Sequence, residues 1–579
     1  MTWHLKEKLQ KIMDNEQGAM VFAPGSRQGF ALVYPNTYHV GMSNLGFQII
    51  YQQINQRGDT ACERLFLPDR KTEPEYIRTN TPLMTIETQR PLYEFPLIGV
   101  ALTFEMDYFN FVSILSLGKV PVLAADRGET DPFVMIGGPC ATFNPEPLAD
   151  FVDFCIIGEG EEVIHEILDI YYQGREKGLL RREILFNLAQ ITGVYVPCFY
   201  QPIYKEDGTI DHIVSTKGVP ERVKRRFISD LDQYEAQTVV VTSDTEFKDL
   251  FLIEVARGCG RHCRFCMAGY CYRNPRVRSL EKLKVAITKA KEFRSKVGLM
   301  GAAISDYPEI DALCKEVLDQ GMYMSVASLR ADSLTDGLVE ALAVSKHKTI
   351  TLAPEAASIR LRRIINKSIT NEHLYNSIKM AIGAGIPHIR LYIMIGLPFE
   401  EQEDIEEIVT LAENIKNYME SLGSKGKLTL SVNPFIPKPF TPFQWMAMPP
   451  MGVVESKLKF LSSSLRQRKN IEVLVDSPKE SYMQAVFARG DRRLSAVLLE
   501  AHSRGGSKGF KQAMKANQCT EEQYLYRQRD EQHEKLPWEH LDMGLDSSYL
   551  VRELETAKKE IFTAPCAQGC TRCGVCKKQ

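Results

Sequence analysis

The chain has 579 residues, 44% of them hydrophobic and 25% charged, with a formal net charge of −2. That length exceeds what one hydrophobic core supports, so three or four domains are expected. The near-neutral balance excludes a global basic field for nucleic acid or anionic membrane. With no signal-peptide centre and no bilayer-length apolar run, the cytoplasm is the expected compartment and no membrane partner is expected.

The opening stretch MTWHLKEKLQKIMDNEQ reads as a mixed-charge amphipathic helix. Strand and helix patterns then alternate over residues 1–200, which predicts a mostly parallel sheet covered on both faces. Apolar runs at 30–35, 97–102, 120–125, 133–138 and 153–158 are the expected strands. A helix follows the first, with Asn36 as its expected N-cap. Loops such as GGPCATFNPEP and GEGEE fall at the carboxyl ends of strands, where a doubly wound sheet presents its ligands.

Residues 201–246 break the rhythm as a connector, beginning with a hairpin around Asp207-Gly208. Alternation resumes over 247–475, with strands expected at 250–256, 297–303, 322–328, 348–353, 388–396 and 428–435. One intervening helix has Ser279 as its expected cap and Leu280, Leu283 and Ile287 on one face. Six strand–helix units predict a partial (β/α)6 TIM-type barrel, whose chemistry belongs at the carboxyl ends of the strands. Arg257, Asp306, Ser328, Arg330, Glu355 and Asn433 fall there. Residues 476–579 read as a helical, charged, cysteine-rich extension. The expected fold class is therefore α/β: a Rossmann-like parallel sheet domain, then the partial barrel, then this extension.

Seven of the 14 cysteines lie in two tight groups. In a reducing compartment such groups read as metal ligands rather than disulfides. Cys62, Cys140, Cys155, Cys198, Cys271, Cys314 and Cys519 are scattered and read as small core residues. Cys259, Cys263 and Cys266 follow the first barrel strand with C-x3-C-x2-C spacing. Three thiolates leave one corner of a cubane [4Fe-4S] cluster open. The competing reading is structural zinc, with His262 or Cys271 as fourth ligand. Cys566, Cys570, Cys573 and Cys576 form an evenly spaced quartet near the carboxyl terminus. This spacing suits a second [4Fe-4S] cluster better than zinc, which usually takes two separated pairs.

The segment CGRHCRFC in this barrel context resembles the radical S-adenosylmethionine superfamily. The resemblance implies that S-adenosylmethionine chelates the open iron and that Phe265 lies near its adenine. It implies that one electron from a low-potential donor of the flavodoxin or ferredoxin type releases a 5′-deoxyadenosyl radical. It also implies cofactor contacts by Gly301 in GLMGAAISD, by Ser328, Arg330 and Glu355, and by Ile395 and Gly396 in YIMIGLP. The stretch from FPLIGVAL to CIIGEGEEVI resembles the cobalamin-binding domain placed ahead of such barrels, and so implies cobalamin. The Asp-x-His-x-x-Gly signature for an axial histidine is absent, although His39 lies nearby. Over nearly its whole length the chain resembles an uncharacterised bacterial family of this architecture.

Three functions follow as expectations. The first is cobalamin-dependent methyl transfer to an unactivated carbon. The second is cobalamin-independent modification of an RNA or protein target, as in methylthiotransferases. For that one, the runs RVKRRF, RLRRIINK and RGDRR would suit a phosphate-bearing partner. The third is a non-catalytic iron–sulfur or corrinoid sensor.

Overall fold

In the computed structural model, which describes residues 2–247, 249–567 and 569–577, the chain divides into two units. Residues Met1–Lys248, Phe487–Gln523 and Gln532–Gly544 form the first, and Asp249–Val486, Tyr524–Glu531 and Leu545–Gln579 the second. The residues after 486 therefore alternate between the two units.

A six-stranded sheet centres the first unit among the described residues: β1 (Gln28–Tyr34), β2 (Thr60–Phe66), β3 (Leu97–Ala101), β4 (Phe133–Gly137), β5 (Phe154–Ile156) and β6 (Val194–Tyr195). Their order is β2-β1-β3-β4-β5-β6. All neighbours are parallel except β5 and β6. The strands are buried almost throughout, as a sheet covered on both faces requires. The chain runs outward in opposite directions from β1, so the switch point lies between β1 and β3.

The structure corrects three local expectations. Residues 120–125 form no strand. The carbonyls of Pro121 and Val122 instead accept from the Arg127 guanidinium, each at 3.0 Å, and Pro121 has no N–H to give a ladder. Second, the N-cap is Asn44, whose side chain accepts from Phe47 N and opens the helix Leu45–Asn55. Asn36 instead donates to Asp107 at 2.8 Å. Third, β2 was not expected, because Glu63 and Arg64 interrupt TACERLF. Arg64 is fully buried and binds Glu16 and Glu87, each at 2.6 Å.

Phe487–Gln523 belongs to the core of this unit. Phe487 and Phe510 pack against Phe109, and Phe487 also against Tyr108. The buried Asn144 side chain donates to the carbonyls of Ala488 and Gly490. The expected hairpin forms from Tyr200–Tyr204 and Ile210–Ser215, with Gly208 at φ +80° in its turn.

Seven parallel strands build the second unit: Phe251–Glu254, Lys296–Met300, Tyr323–Ser325, Thr349–Glu355, His388–Ile395, Leu428–Pro434 and Ile471–Val475. A Leu329–Leu352 bridge joins the third to the fourth. The first six match the expected runs. The seventh, a half-exposed edge strand, was not anticipated. Ser279 caps its helix through Lys282 N, with Leu280, Leu283 and Ile287 buried.

Along the fifth strand Ile389, Leu391, Ile393 and Ile395 are buried, while Arg390, Tyr392 and Met394 are half-buried. Ser431 and Asn433 alternate likewise with buried neighbours on the sixth. A closed eight-stranded barrel fills its interior with branched apolar side chains. Here one set of alternating positions stays accessible and partly polar, as a barrel holding a ligand requires. Among the described residues no helix is long and apolar enough to cross a membrane.

The Arg64 pair dictates a stability outcome. Glu87→Ala leaves a buried guanidinium short of one carboxylate and is expected to cost about 3–5 kcal/mol. Arg64→Met, which leaves both Glu16 and Glu87 buried without their cation, is expected to lower the urea midpoint at least as much as Glu87→Ala does.

Candidate active site

The first barrel strand ends at Glu254, whose carboxylate takes Arg257 at 2.9 Å and Arg278 at 2.7 Å. A short antiparallel pair, Ala256–Arg257 with Arg276–Val277, then closes the base of a loop. Cys259, Cys263 and Cys266 stand on that loop. His262 adopts φ +59°, a left-handed conformation unusual for a side-chain-bearing residue. It turns the chain between the first two thiols. Cys266 N then closes a turn onto Cys263 O at 3.1 Å.

The three thiols share one environment. Burial and then the neighbouring Cys263 raise the Cys259 thiol, and the same pair of causes with Cys259 pushes Cys266 up to about 12. Crowded buried thiols resist ionising until a cation joins them, and a metal reverses that preference. Three cysteines on one loop are the kind of donor set that a cubane cluster takes at three of its corners.

His262, one of the two alternative fourth ligands, is not placed to complete a tetrahedron. His262 Nδ1 accepts from Arg273 Nη2 at 2.7 Å, so the ring proton sits on Nε2 and neither nitrogen offers a lone pair. Burial holds this imidazole neutral, its pKa down to about 2. Cys271 is buried, with its amide bonded back to Met267 O.

Around the loop the strand ends form a ring of paired charges. Arg261 binds Asp306 through Nη2 and Nε at 2.5 and 2.7 Å and reaches Asp332 at 3.4 Å. Arg330 binds Asp332 at 2.9 and 2.8 Å. Its charge also reaches Cys263. Glu355 sits at φ +66° and pairs with Lys367 at 3.2 Å, while the Lys367 charge reaches Cys266. Ser328 and Gly301 are exposed at their strand ends, and Phe265 is half-buried between two of the thiols. A Cβ at Gly301 would come within 2.8 Å of Ile304 Cδ1. Ile395 is fully buried on the helix-facing side, leaving Met394 as its accessible neighbour.

Sequence reasoning missed Glu400, although it stands four residues after Gly396 in IGLPFE. Its carboxylate accepts from Gly396 N at 2.9 Å and Leu397 N at 3.3 Å and pairs with Lys457. Gly396 has φ +76°, so Glu400 fixes the one left-handed turn at the end of the fifth strand.

The second cysteine group belongs to the same unit and reaches the first. Cys566 N donates to Gly260 O at 2.7 Å. Burial raises the Cys566 thiol, the Arg273 charge opposes that, and the charges of Cys573, Cys570 and Cys576 add to it. Cys570 alone is lowered, chiefly by the Arg572 Nε–H at 3.3 Å.

The edge of the β1–β6 sheet is a weaker cradle. A Cβ at Gly138 (φ +96°) would meet Leu102 O at 2.7 Å, and one at Gly158 (φ +107°) would meet Arg226 O at 2.2 Å. These glycines make room for the chain's own backbone rather than for a ligand. His39 pairs with Asp244 at 2.8 Å and Glu246 at 3.4 Å. On these observations the residues do not fit a corrinoid with a protein axial ligand.

Two changes separate the roles at the barrel mouth. Glu400→Ala is expected to weaken S-adenosylmethionine binding at least tenfold by calorimetry while leaving the iron content intact. Cys263→Ala is expected to remove the iron of the first centre.

Residues 46–197 match the family model for the N-terminal region of radical SAM proteins, and residues 253–412 match that of the radical SAM superfamily. An uncharacterised protein of Methanocaldococcus jannaschii is 30% identical over 474 residues, covering 81% of this chain and 90% of its own. An uncharacterised methyltransferase of Pyrococcus horikoshii is 25% identical, covering 49% of this chain and 58% of its own. The tRNA-2-methylthio-N(6)-dimethylallyladenosine synthase of Natranaerobius thermophilus is 27% identical, covering 28% and 39%. Among solved structures, the radical S-adenosylmethionine methyltransferase TsrM of Kitasatospora setae, with cobalamin and a [4Fe-4S] cluster bound, superposes with a TM-score of 0.45 at 14% identity, over 70% of this chain and 72% of that one. Three thiols on the loop after the first strand of an open barrel, and a near full-length relative, make one conclusion: the chain belongs to the radical S-adenosylmethionine superfamily and is an enzyme of that class.

Proposed function

We propose that the protein is a radical S-adenosylmethionine transferase that installs a methyl-type group on a carbon with no acidic proton. The observation that carries this reading is the loop of three thiols, Cys259, Cys263 and Cys266, that follows the first strand of a half-open barrel. A bound [4Fe-4S] cluster supplies one-electron reduction of the sulfonium there. The chain's own residues do the rest. Cys259, Cys263 and Cys266 hold the cluster, and Gly301 and Gly396, which carry no side chain, let the adenosyl and methionine parts approach the strand ends. Ser328, Arg330 and Glu355 supply polar contacts. Tyr392, Met394 and Asn433 line the accessible side where a substrate sits. The nature of the transferred group is supported by two relatives, one described as a methyltransferase and one as a methylthio synthase.

Cobalamin remains part of the proposal only as an occupant of the first unit, whose family model adjoins that of the barrel. The sheet edge offers it no ready cradle, so no step is routed through it. Incubation with hydroxocobalamin and desalting tests it directly: a retained corrinoid absorbance supports occupancy, and a colourless protein removes it.

The basic runs support a nucleic-acid target less than their sequence suggests, because several of their cations are already paired. Arg226 holds Glu162 and Glu166. Arg360 holds Asp404, Lys367 holds Glu355, and Arg492 holds Glu146.

Anaerobically reconstituted protein given dithionite and S-adenosylmethionine is expected to release 5′-deoxyadenosine, read by chromatography. Cys259→Ala is expected to abolish that release. Wild-type protein that binds iron yet forms no 5′-deoxyadenosine would sink the enzymatic reading.

A further inference from the structure

The quartet Cys566, Cys570, Cys573 and Cys576 has no part in binding S-adenosylmethionine, yet it is tied to the loop that does. The Cys566 amide donates to the carbonyl of Gly260, the residue after Cys259. A Cβ built on Gly260 would lie 3.1 Å from Cys566 Cβ. With adjacent Cα atoms 3.80 Å apart, Cys566 Cβ lies within about 9 Å of Cys259 Cα. One ligand thiol of each group is thus joined through a single peptide unit and one hydrogen bond.

Two further observations define what lies between and outside. His262 is fully buried, and with Nδ1 accepting from Arg273 its Nε2–H has no acceptor among the described residues. A buried donor left so is costly, and an inorganic sulfide is an acceptor. On the outer side Cys576 and Arg572 are exposed. From 561 to 579 the sequence contains Arg572, Lys577 and Lys578 and no acidic residue.

We propose that the C-terminal quartet holds a second iron–sulfur cluster that is the electron entry port of the enzyme, docking a negatively charged one-electron carrier protein on its basic outer side. The inference rests on the radical S-adenosylmethionine reading of the first centre. One electron leaves the reduced carrier, which is oxidised by one unit. It resides at the quartet and passes inward along Cys566 N–H···O=C Gly260 to the centre held by Cys259, which is reduced by one unit. No proton moves and no bond breaks in this step. The arrangement feeds the first centre from behind, while its open corner faces the barrel mouth.

The test uses the full-length reconstituted protein, reduced with dithionite and examined by electron paramagnetic resonance. About eight irons per chain are expected, with two paramagnetic signals broadened by mutual coupling. Cys573→Ser is expected to halve the iron, leave one narrow signal that still responds to S-adenosylmethionine, and slow reduction of the first centre by reduced flavodoxin at least tenfold. Because that variant can disturb the carboxyl-terminal fold, the double change Lys577→Glu and Lys578→Glu is measured beside it and is expected to weaken flavodoxin-driven reduction with the coupled signals intact. Zinc with about four irons, two uncoupled signals, or flavodoxin-driven reduction unaffected by both changes would each overturn the proposal. Failure of the parent reading looks different: no signal would respond to S-adenosylmethionine in any variant.

Discussion

The site depends on one buried cation. Arg264, between the second and third thiols, is fully buried. A guanidinium there is tolerated only if its donors are met. Its Nη1 donates to the carbonyls of Arg363 and Ile364, each at 2.9 Å, its Nη2 to Ile561 O and Thr563 Oγ1, and its Nε to Glu553. Asn366 adds donors to the carbonyls of Arg261, His262 and Thr563. The back of the loop is therefore saturated.

The same constraint explains why residues beyond 544 return to the barrel. Glu553, Ile561 and Thr563 supply partners to Arg264, and Tyr549 OH lies 2.5 Å from His262 Nδ1. The carboxyl-terminal helix is thus a wall of the cysteine loop. At the front, the charges pair with one another: Arg261 with Asp306, Arg330 with Asp332, Lys367 with Glu355.

Much of this was legible in the sequence where a single period carried the signal. The six barrel strands, the Ser279 cap, the Asp207-Gly208 hairpin and four strands of the first sheet follow from apolar runs and turn residues. Strand β2 was hidden because Glu63 and Arg64 are polar letters in a buried strand, and their partners Glu16, Thr85 and Glu87 are remote in sequence. The run at 120–125 misled for the opposite reason: its composition suits a strand, but Arg127 takes the carbonyls a neighbouring strand would have used. The thiols were read from spacing alone. Glu400 was not, because a carboxylate bound to backbone N–H groups leaves no pattern beyond its distance from a glycine.

Charge runs show the limit most clearly. A sequence displays RGDRR as three arginines and one aspartate in five letters. In the fold Arg489 is buried, Arg492 reaches Glu146 and Tyr195, and Arg493 binds Asp491. The Arg493 partner lies within the run, but the Arg492 carboxylate comes from 346 positions away, so no window of sequence could have shown that pairing. The cysteine loop differs because its ligands are local, yet even there the partner that decides orientation, the segment from 553 to 566, lies some 290 residues on. Local spacing can declare which atoms bind a metal. Which way those atoms face, and therefore which side is left for substrate and which for electrons, is decided by contacts that only the folded chain brings together.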